Sequence, residues 1–320
     1  MPRALSGLLA LALVLPACGA QEGPAATSAD RIPVVASTDV YGAVVQAIGG
    51  DRVTVTSLID DPAADPHSYE APPAAAAAVA RARLVVVNGG GYDDFAERLT
   101  PAPDAKVIDV VALSGLTAPA SGELNEHVWY SLPTMKALAG RIATDLGAAD
   151  PAGAASFAAN AGAFGTRVDE LIARVAALKA EHGGERIAVT EPVPLYLTDA
   201  AGLIDATPPE FSEAVEEDSD PPAAVVATTL DLFSNRSDAG SSTPDSVRGG
   251  RPTPDPADPV RALLVNAQTR TAVTDQVEQA ARAAGVPVVD VGETLPSGTV
   301  DYVDWINGQL DALGAALDRP

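Results

Sequence analysis

The sequence predicts an α/β protein of two lobes, each built on a mostly parallel sheet, joined by one long linking helix. Three observations carry this. Short β-branched runs alternate with helical patterns over residues 32–150, one apolar stripe runs through the alanine-rich stretch 151–184, and the alternation resumes over 185–320. Such alternation marks βα units around a buried, mostly parallel sheet.

Taken in order, residues 1–19 read as a lipoprotein signal peptide. Arg3 gives a basic start, and Leu5 to Pro16 is an uncharged apolar run too short to hold a bilayer span. Leu15-Pro16-Ala17-Cys18-Gly19 resembles a lipobox, after which Cys18 would carry the lipid; a cleaved secretory signal with an incidental cysteine is the alternative. Either reading exports the chain. Cys18 is the only cysteine, so an internal disulfide is excluded and stability must come from packing. Residues 20–31 lack apolar periodicity and read as a flexible tether.

In the N-terminal lobe, 32–150, the candidate strands are Pro33 to Ser37, Val53 to Ser57, Leu84 to Val87 and Lys106 to Val110, with helical patterns over Val40 to Ile48, Pro73 to Arg83 and Tyr92 to Leu99. The linking helix follows. Asp150 can cap it and Pro151 suits its first turn. Val168, Leu171, Ile172, Val175 and Leu178 form its stripe, and Gly183-Gly184 ends it. At 1.5 Å per residue it would reach about 45–50 Å, enough to run along both lobes.

The C-terminal lobe repeats the plan. Its candidate strands are Arg186 to Thr190, Ala262 to Val265 and Val286 to Val291. Its helices are Leu195 to Ala201, Pro209 to Glu217, Ala224 to Phe233, Thr271 to Ala284 and Tyr302 to Leu317. Residues 235–259, rich in Ser, Pro, Asp and Gly, interrupt it and read as a mobile loop.

The formal net charge of −23 argues against nucleic acid, whose phosphates would repel such a chain. Bulk charge does not make a cation site; individual side chains do. There are three histidines. His182 closes the long helix, where a basic residue complements the dipole and faces solvent. His67, in DDPAADPHSYE, and His127, in GELNEHVWYSLP, each follow a predicted strand on its carboxyl side, where open α/β sheets bind ligands. Either could be a surface residue, a general base or a metal ligand.

The second lobe places Glu191 just past the strand ending at Thr190, and Glu293 just past the one ending near Val291. Each alone could be a solvated loop residue or a helix cap. Together, two neutral imidazoles and two carboxylates balance a divalent cation, which matters in a cleft that excludes water. Catalytic signatures are missing: there is no HExxH and no GxSxG. Asn88-Gly89-Gly90-Gly91 lacks phosphate-loop spacing and reads as a tight turn; Tyr92, Asp93 and Asp94 after it either line the cleft or start the next helix, the helix start being the favoured reading. The acidic run EEDSD at 216–220 reads as a solvated helix end.

At these residues the sequence resembles the lipid-anchored substrate-binding proteins of bacterial ABC importers for zinc and manganese (cluster A-I, the zinc-uptake component A family). The resemblance spans roughly 32–318, apart from the loop. DPHSYE (65–70) resembles the family's DPH-x-[YW]-E segment and passes a ligand role to His67. EHVWYSLP (126–133) resembles its DPHxWLSP segment and does the same for His127, with Asn125-Glu126 replacing the usual Asp-Pro. TEPVPLYLTDAAGL (190–203) resembles the segment supplying the third ligand, here Glu191. The fourth, usually aspartate, has its nearest match in Glu293 of GETLPSG.

The resemblance implies two lobes closing by a limited movement on a metal in the cleft between them. It also implies a monomer anchored by lipid to the extracytoplasmic face of the cell membrane, delivering its cargo to a permease and ATPase. The cargo would be Mn2+ or Zn2+, with no organic cofactor and no catalysis. Carboxylates favour manganese, imidazole suits zinc, and the histidine-rich loop common in zinc importers is missing here. The competing readings are a two-lobed receptor for an iron chelate and a metal-dependent hydrolase. The receptor would need basic or aromatic groups in its cleft; the hydrolase would need an open coordination position and a general base.

Overall fold

The computed structural model describes residues 31–64, 66, 69–119, 124–234 and 258–319. Cys18 and its lipobox, His67, and residues 235–257 of the expected loop lie outside them.

The first lobe contains β1 (Ile32–Thr38), α1 (Asp39–Gly49), β2 (Val53–Ile59), α2 (Pro73–Val79), β3 (Leu84–Val87), α3 (Asp94–Glu97), β4 (Lys106–Asp109), α4 (Val110–Ser114) and α5 (Leu132–Ala149). Its sheet is parallel throughout, in the order β2-β1-β3-β4. The central strands β1 and β3 are covered on both faces, which is why they read as continuous runs of Val, Leu and Ala. At the edge, β2 turns Thr54 and Thr56 to solvent, and β4 exposes Lys106. Gly89, Gly90 and Gly91 after β3 all have positive φ, and a Cβ on Gly89 would lie 2.3 Å from Asp109 Oδ1. The glycine run is therefore a backbone requirement of the turn. Asp93 closes that turn, accepting the N–H groups of Asn88 and Gly89 at 2.6 and 2.9 Å.

The linking helix is α6 (Ala154–His182), about 44 Å long at 1.5 Å per residue. It begins later than the sequence suggests. Gly153 precedes it, while Asp150 follows α5, pairs with Arg52 at 2.6 Å and accepts the N–H of Ala152. The buried stripe also starts earlier, with Phe157 and Phe164 ahead of Val168, Leu171 and Val175, whereas Ile172 turns outward and is 37% exposed. His182 does sit at the helix end but is buried rather than solvent-facing, 3.4 Å from Glu185 and 3.3 Å from Asp318.

The second lobe contains β5 (Arg186–Val189), α7 (Leu195–Ala200), β6 (Ile204–Asp205), α8 (Pro209–Glu216), α9 (Ala223–Asp231), β7 (Val260–Asn266), α10 (Ala272–Ala283), β8 (Val288–Val291) and α11 (Tyr302–Leu317). Its parallel sheet has the order β6-β5-β7-β8, the same plan as the first. One apolar core is continuous through both lobes: Val34, Ile108 and Trp129 join Phe157, Val168 and Leu171 of α6, then Val189, Leu264, Trp305 and Leu310. Each fully buried side chain of this size stabilises by about 1.5–3 kcal/mol, so the lobes are not independent bodies on a loose tether. Among the described residues no helix is long and apolar enough to cross a membrane.

Polar contacts also cross between the lobes. Tyr130 donates to the carbonyl of Gly292 at 3.0 Å, Tyr302 to that of Trp129 at 2.7 Å, and Leu295 N–H to Asp39 at 3.1 Å.

Candidate metal site

In a parallel sheet, loops at the carboxyl ends of adjacent strands share one edge. Glu191 follows β5, Asn266 ends β7 and Glu293 follows β8, and these strands are neighbours. Both glutamates are buried, at 1% and 0% exposure. Two carboxylates in so dry a place need donors. The side-chain nitrogen of Asn266 supplies both, giving one hydrogen to Glu191 Oε2 at 2.8 Å and one to Glu293 Oε1 at 2.7 Å. The Thr269 hydroxyl donates to the other oxygen of Glu191, and Gln268 Oε1 accepts the backbone N–H of Glu293 at 3.0 Å.

The first lobe contributes His127, fully buried at the start of a single 3-10 turn, Val128–Tyr130. Trp129 and Tyr92 pack around the imidazole, with ring centroids 5.0 and 5.9 Å away. Asn125 sets its orientation. Asn125 Oδ1 accepts the His127 backbone N–H at 3.0 Å and lies 2.8 Å from Nδ1, while its nitrogen donates to the Pro192 carbonyl of the second lobe at 2.8 Å. The amide oxygen can only accept, so Nδ1 carries the hydrogen and, in the neutral ring, Nε2 keeps the lone pair. Nε2 faces Glu293 Oε2 at 4.0 Å and Glu216 Oε1 at 3.5 Å.

Glu216 is the residue that sequence reasoning missed. It belongs to the acidic run read as a solvated helix end, yet α8 turns it inward on the face that carries Phe211, Ser212 and Val215. A signal was present: Ser212 and Glu216 are four apart, beside an apolar pair with the same spacing. Burial, followed by the charges of Glu126, Glu191, Glu293 and Glu213, pushes the Glu216 carboxyl up to about 9. One ligand atom each from Glu126, His127 and Glu216 lie within 4.8 Å of one another. Burial beside Glu293 likewise drives the Tyr92 phenol up.

Of the four residues singled out in the sequence, the structure brings His127 to Glu293 directly and ties Glu191 to Glu293 through Asn266. The fourth, His67, lies outside the described residues. Asn266 and Thr269, which hold the glutamates in place, carry no motif that sequence inspection could single out, whereas Asn125 stands in the His127 segment at the position where aspartate is usual. A cavity of about 1090 Å³ opens beside the site, lined by Asn125, Glu126, Tyr196, Glu213, Glu216 and Thr269 among others. An imidazole nitrogen with carboxylate oxygens, drawn from two lobes, is a donor set for a divalent transition metal.

A family model described as zinc-uptake complex component A, periplasmic (ZnuA), matches residues 34–237. The manganese-binding lipoprotein MntA of Halalkalibacterium halodurans is 27% identical over 242 residues, covering 70% of this chain and 80% of that protein. The manganese ABC transporter substrate-binding lipoprotein of Streptococcus gordonii is 28% identical over 172 residues, and the match spans 54% of its length. Among solved structures, the periplasmic zinc-binding protein TroA from Treponema pallidum superposes with a TM-score of 0.69 at 18% identity, over 90% of this chain and 100% of that one. At that identity the superposition speaks for the fold: two parallel-sheet lobes with a helical link.

Proposed function

The chain belongs to the zinc-uptake component A family, and from that premise we propose that it captures a divalent transition metal, Mn2+ or Zn2+, outside the cytoplasm and delivers it to an ABC importer. His127, Glu191 and Glu293 bind the metal, with His67 as the fourth ligand. Lobes 32–150 and 185–320 supply two ligands each, with 151–184 between them. The partners are a permease and its ATPase. A lipid on Cys18 holds the monomer at the membrane surface.

One observation supports this reading above the others. The imidazole Nε2 of one lobe faces a carboxylate of the other, and that carboxylate shares the Asn266 amide with a second. The role is capture and release, without turnover, since the family is one of transport components. The cargo is metal rather than an organic chelate, because the groups that converge are metal donors, an imidazole nitrogen and carboxylate oxygens.

Calorimetric titration of the metal-stripped mature chain with each metal tests the reading, with His127→Ala and Glu191→Ala alongside. The expected result is tight one-to-one binding in the wild type that both substitutions abolish. Binding no tighter than about 10 μM, roughly 7 kcal/mol, would overturn it.

A further inference from the structure

We propose that Glu216 is a further metal ligand, one that raises the coordination number above four and tilts the site towards manganese. The inference rests on the metal-capture reading and deepens it.

The geometry comes first. Two donors bound to one metal at about 2.0–2.2 Å are separated by roughly 2.9–3.6 Å at angles of 90–110°. Glu216 Oε1 lies 3.5 Å from His127 Nε2, inside that window, and closer than Glu293 Oε2 at 4.0 Å. The oxygen therefore stands where a donor on the same metal as the imidazole would stand.

The placement is built into the helix. Phe211 and Val215 anchor α8 in the core of the second lobe at 0% and 4% exposure. Glu216, next along that face, is left with a side chain only 16% exposed, directed at the imidazole. Its residual exposure is to the cavity that adjoins the site, so the side of the metal it would occupy is the wetter one. That matters for charge. A third carboxylate leaves the loaded site with an excess negative charge, tolerable against water and costly in a sealed cleft.

The chemistry sets the consequence. Zinc is satisfied by four ligands in tetrahedral array. Manganese takes more ligands and prefers oxygen, but loses to zinc for any shared donor set in the general affinity order. An added carboxylate oxygen therefore favours manganese selectively.

The test uses the mature chain with Glu216→Gln and Glu216→Ala, titrated with Mn2+ and with Zn2+ in competition with a chelator. The electron paramagnetic resonance spectrum of bound Mn2+ is recorded in parallel. Both variants are expected to lose ten-fold or more in Mn2+ affinity and less than three-fold in Zn2+ affinity, with an altered Mn2+ line shape. Glu216→Gln keeps the side-chain shape, and an unchanged melting temperature of its metal-free form verifies folding. Affinities for both metals within two-fold of wild type, or an equal loss for both, would overturn the role of Glu216 and leave metal capture standing. A wild type that binds neither metal would overturn both.

Discussion

Glu293 Oε1 accepts a hydrogen bond of 2.7 Å from the side-chain nitrogen of Asn266. The second hydrogen of that nitrogen goes to Glu191, so one amide fixes the rotation of two buried carboxylates. Groups that orient metal ligands typically contribute 10–100-fold to affinity. Asn266→Ala is expected to weaken binding of the preferred metal by about that factor. Asn266→Asp should be worse, since it removes both donors and adds a negative charge. Chelator competition on the two variants checks the order.

Asn125 acts on the imidazole in the same way, but through its oxygen. Asn125→Ala should lose about 10–100-fold in affinity. Asn125→Asp retains an acceptor for Nδ1 and should stay much closer to wild type, although it forfeits the bond to Pro192. Equal losses in both variants, measured by titration calorimetry, would mean that the interlobe bond and not ring orientation is what counts.

Leu171 and Ile172 are adjacent on α6, and the sequence pattern places both in one stripe. The structure separates them, with Leu171 fully buried and Ile172 37% exposed. Leu171→Ala is expected to cost about 2–5 kcal/mol. Ile172→Ala should cost less than about 1 kcal/mol. Urea unfolding of the metal-free protein distinguishes them.

Burial raises the Asp205 carboxyl from 3.8 to about 6, against the opposing hydrogen bonds from Thr207. A carboxyl that holds its proton more tightly folded than unfolded favours the fold fully below pH 4, and that contribution is lost as pH rises through 6. Asp205→Asn keeps an oxygen for the Thr207 N–H and removes the charge. It should gain about 1–2 kcal/mol over wild type at pH 7, a discount on the full shift for the side chain's partial exposure, and nothing at pH 4. The difference between the two proteins in urea unfolding, followed from pH 4 to pH 8, gives the answer.

Much of this fold is legible in the sequence because its strands are buried on both faces. Leu84 to Val87 or Ala262 to Val265 can only be read as interior strands once Gly, Pro and polar residues bound them. β6 escapes because Ile204-Asp205 is too short to show any period. α4 hides because Val110-Val111 continues the apolar run of β4, and only the cap made by Asp109 on Ala112 N–H marks the change. In the site, His127, Glu191 and Glu293 stand out through their residue type and their position after strands. Glu216 does not, because four neighbouring acidic and polar residues drown the spacing that turns it inward. Asn266 is invisible for another reason: an amide ending an apolar run has no chemistry of its own until two carboxylates converge on it.

The contacts of Asn125 have a mechanical consequence. Its side-chain nitrogen grips Pro192, its carbonyl receives the Tyr196 hydroxyl at 2.7 Å, and its oxygen steers the imidazole. One of the clasps between the halves and the rudder of the ligand are thus the same residue. Prising the halves apart at this margin would pull on the same side chain that aims Nε2, so the spacing of the lobes and the direction of the ring's lone pair are mechanically linked.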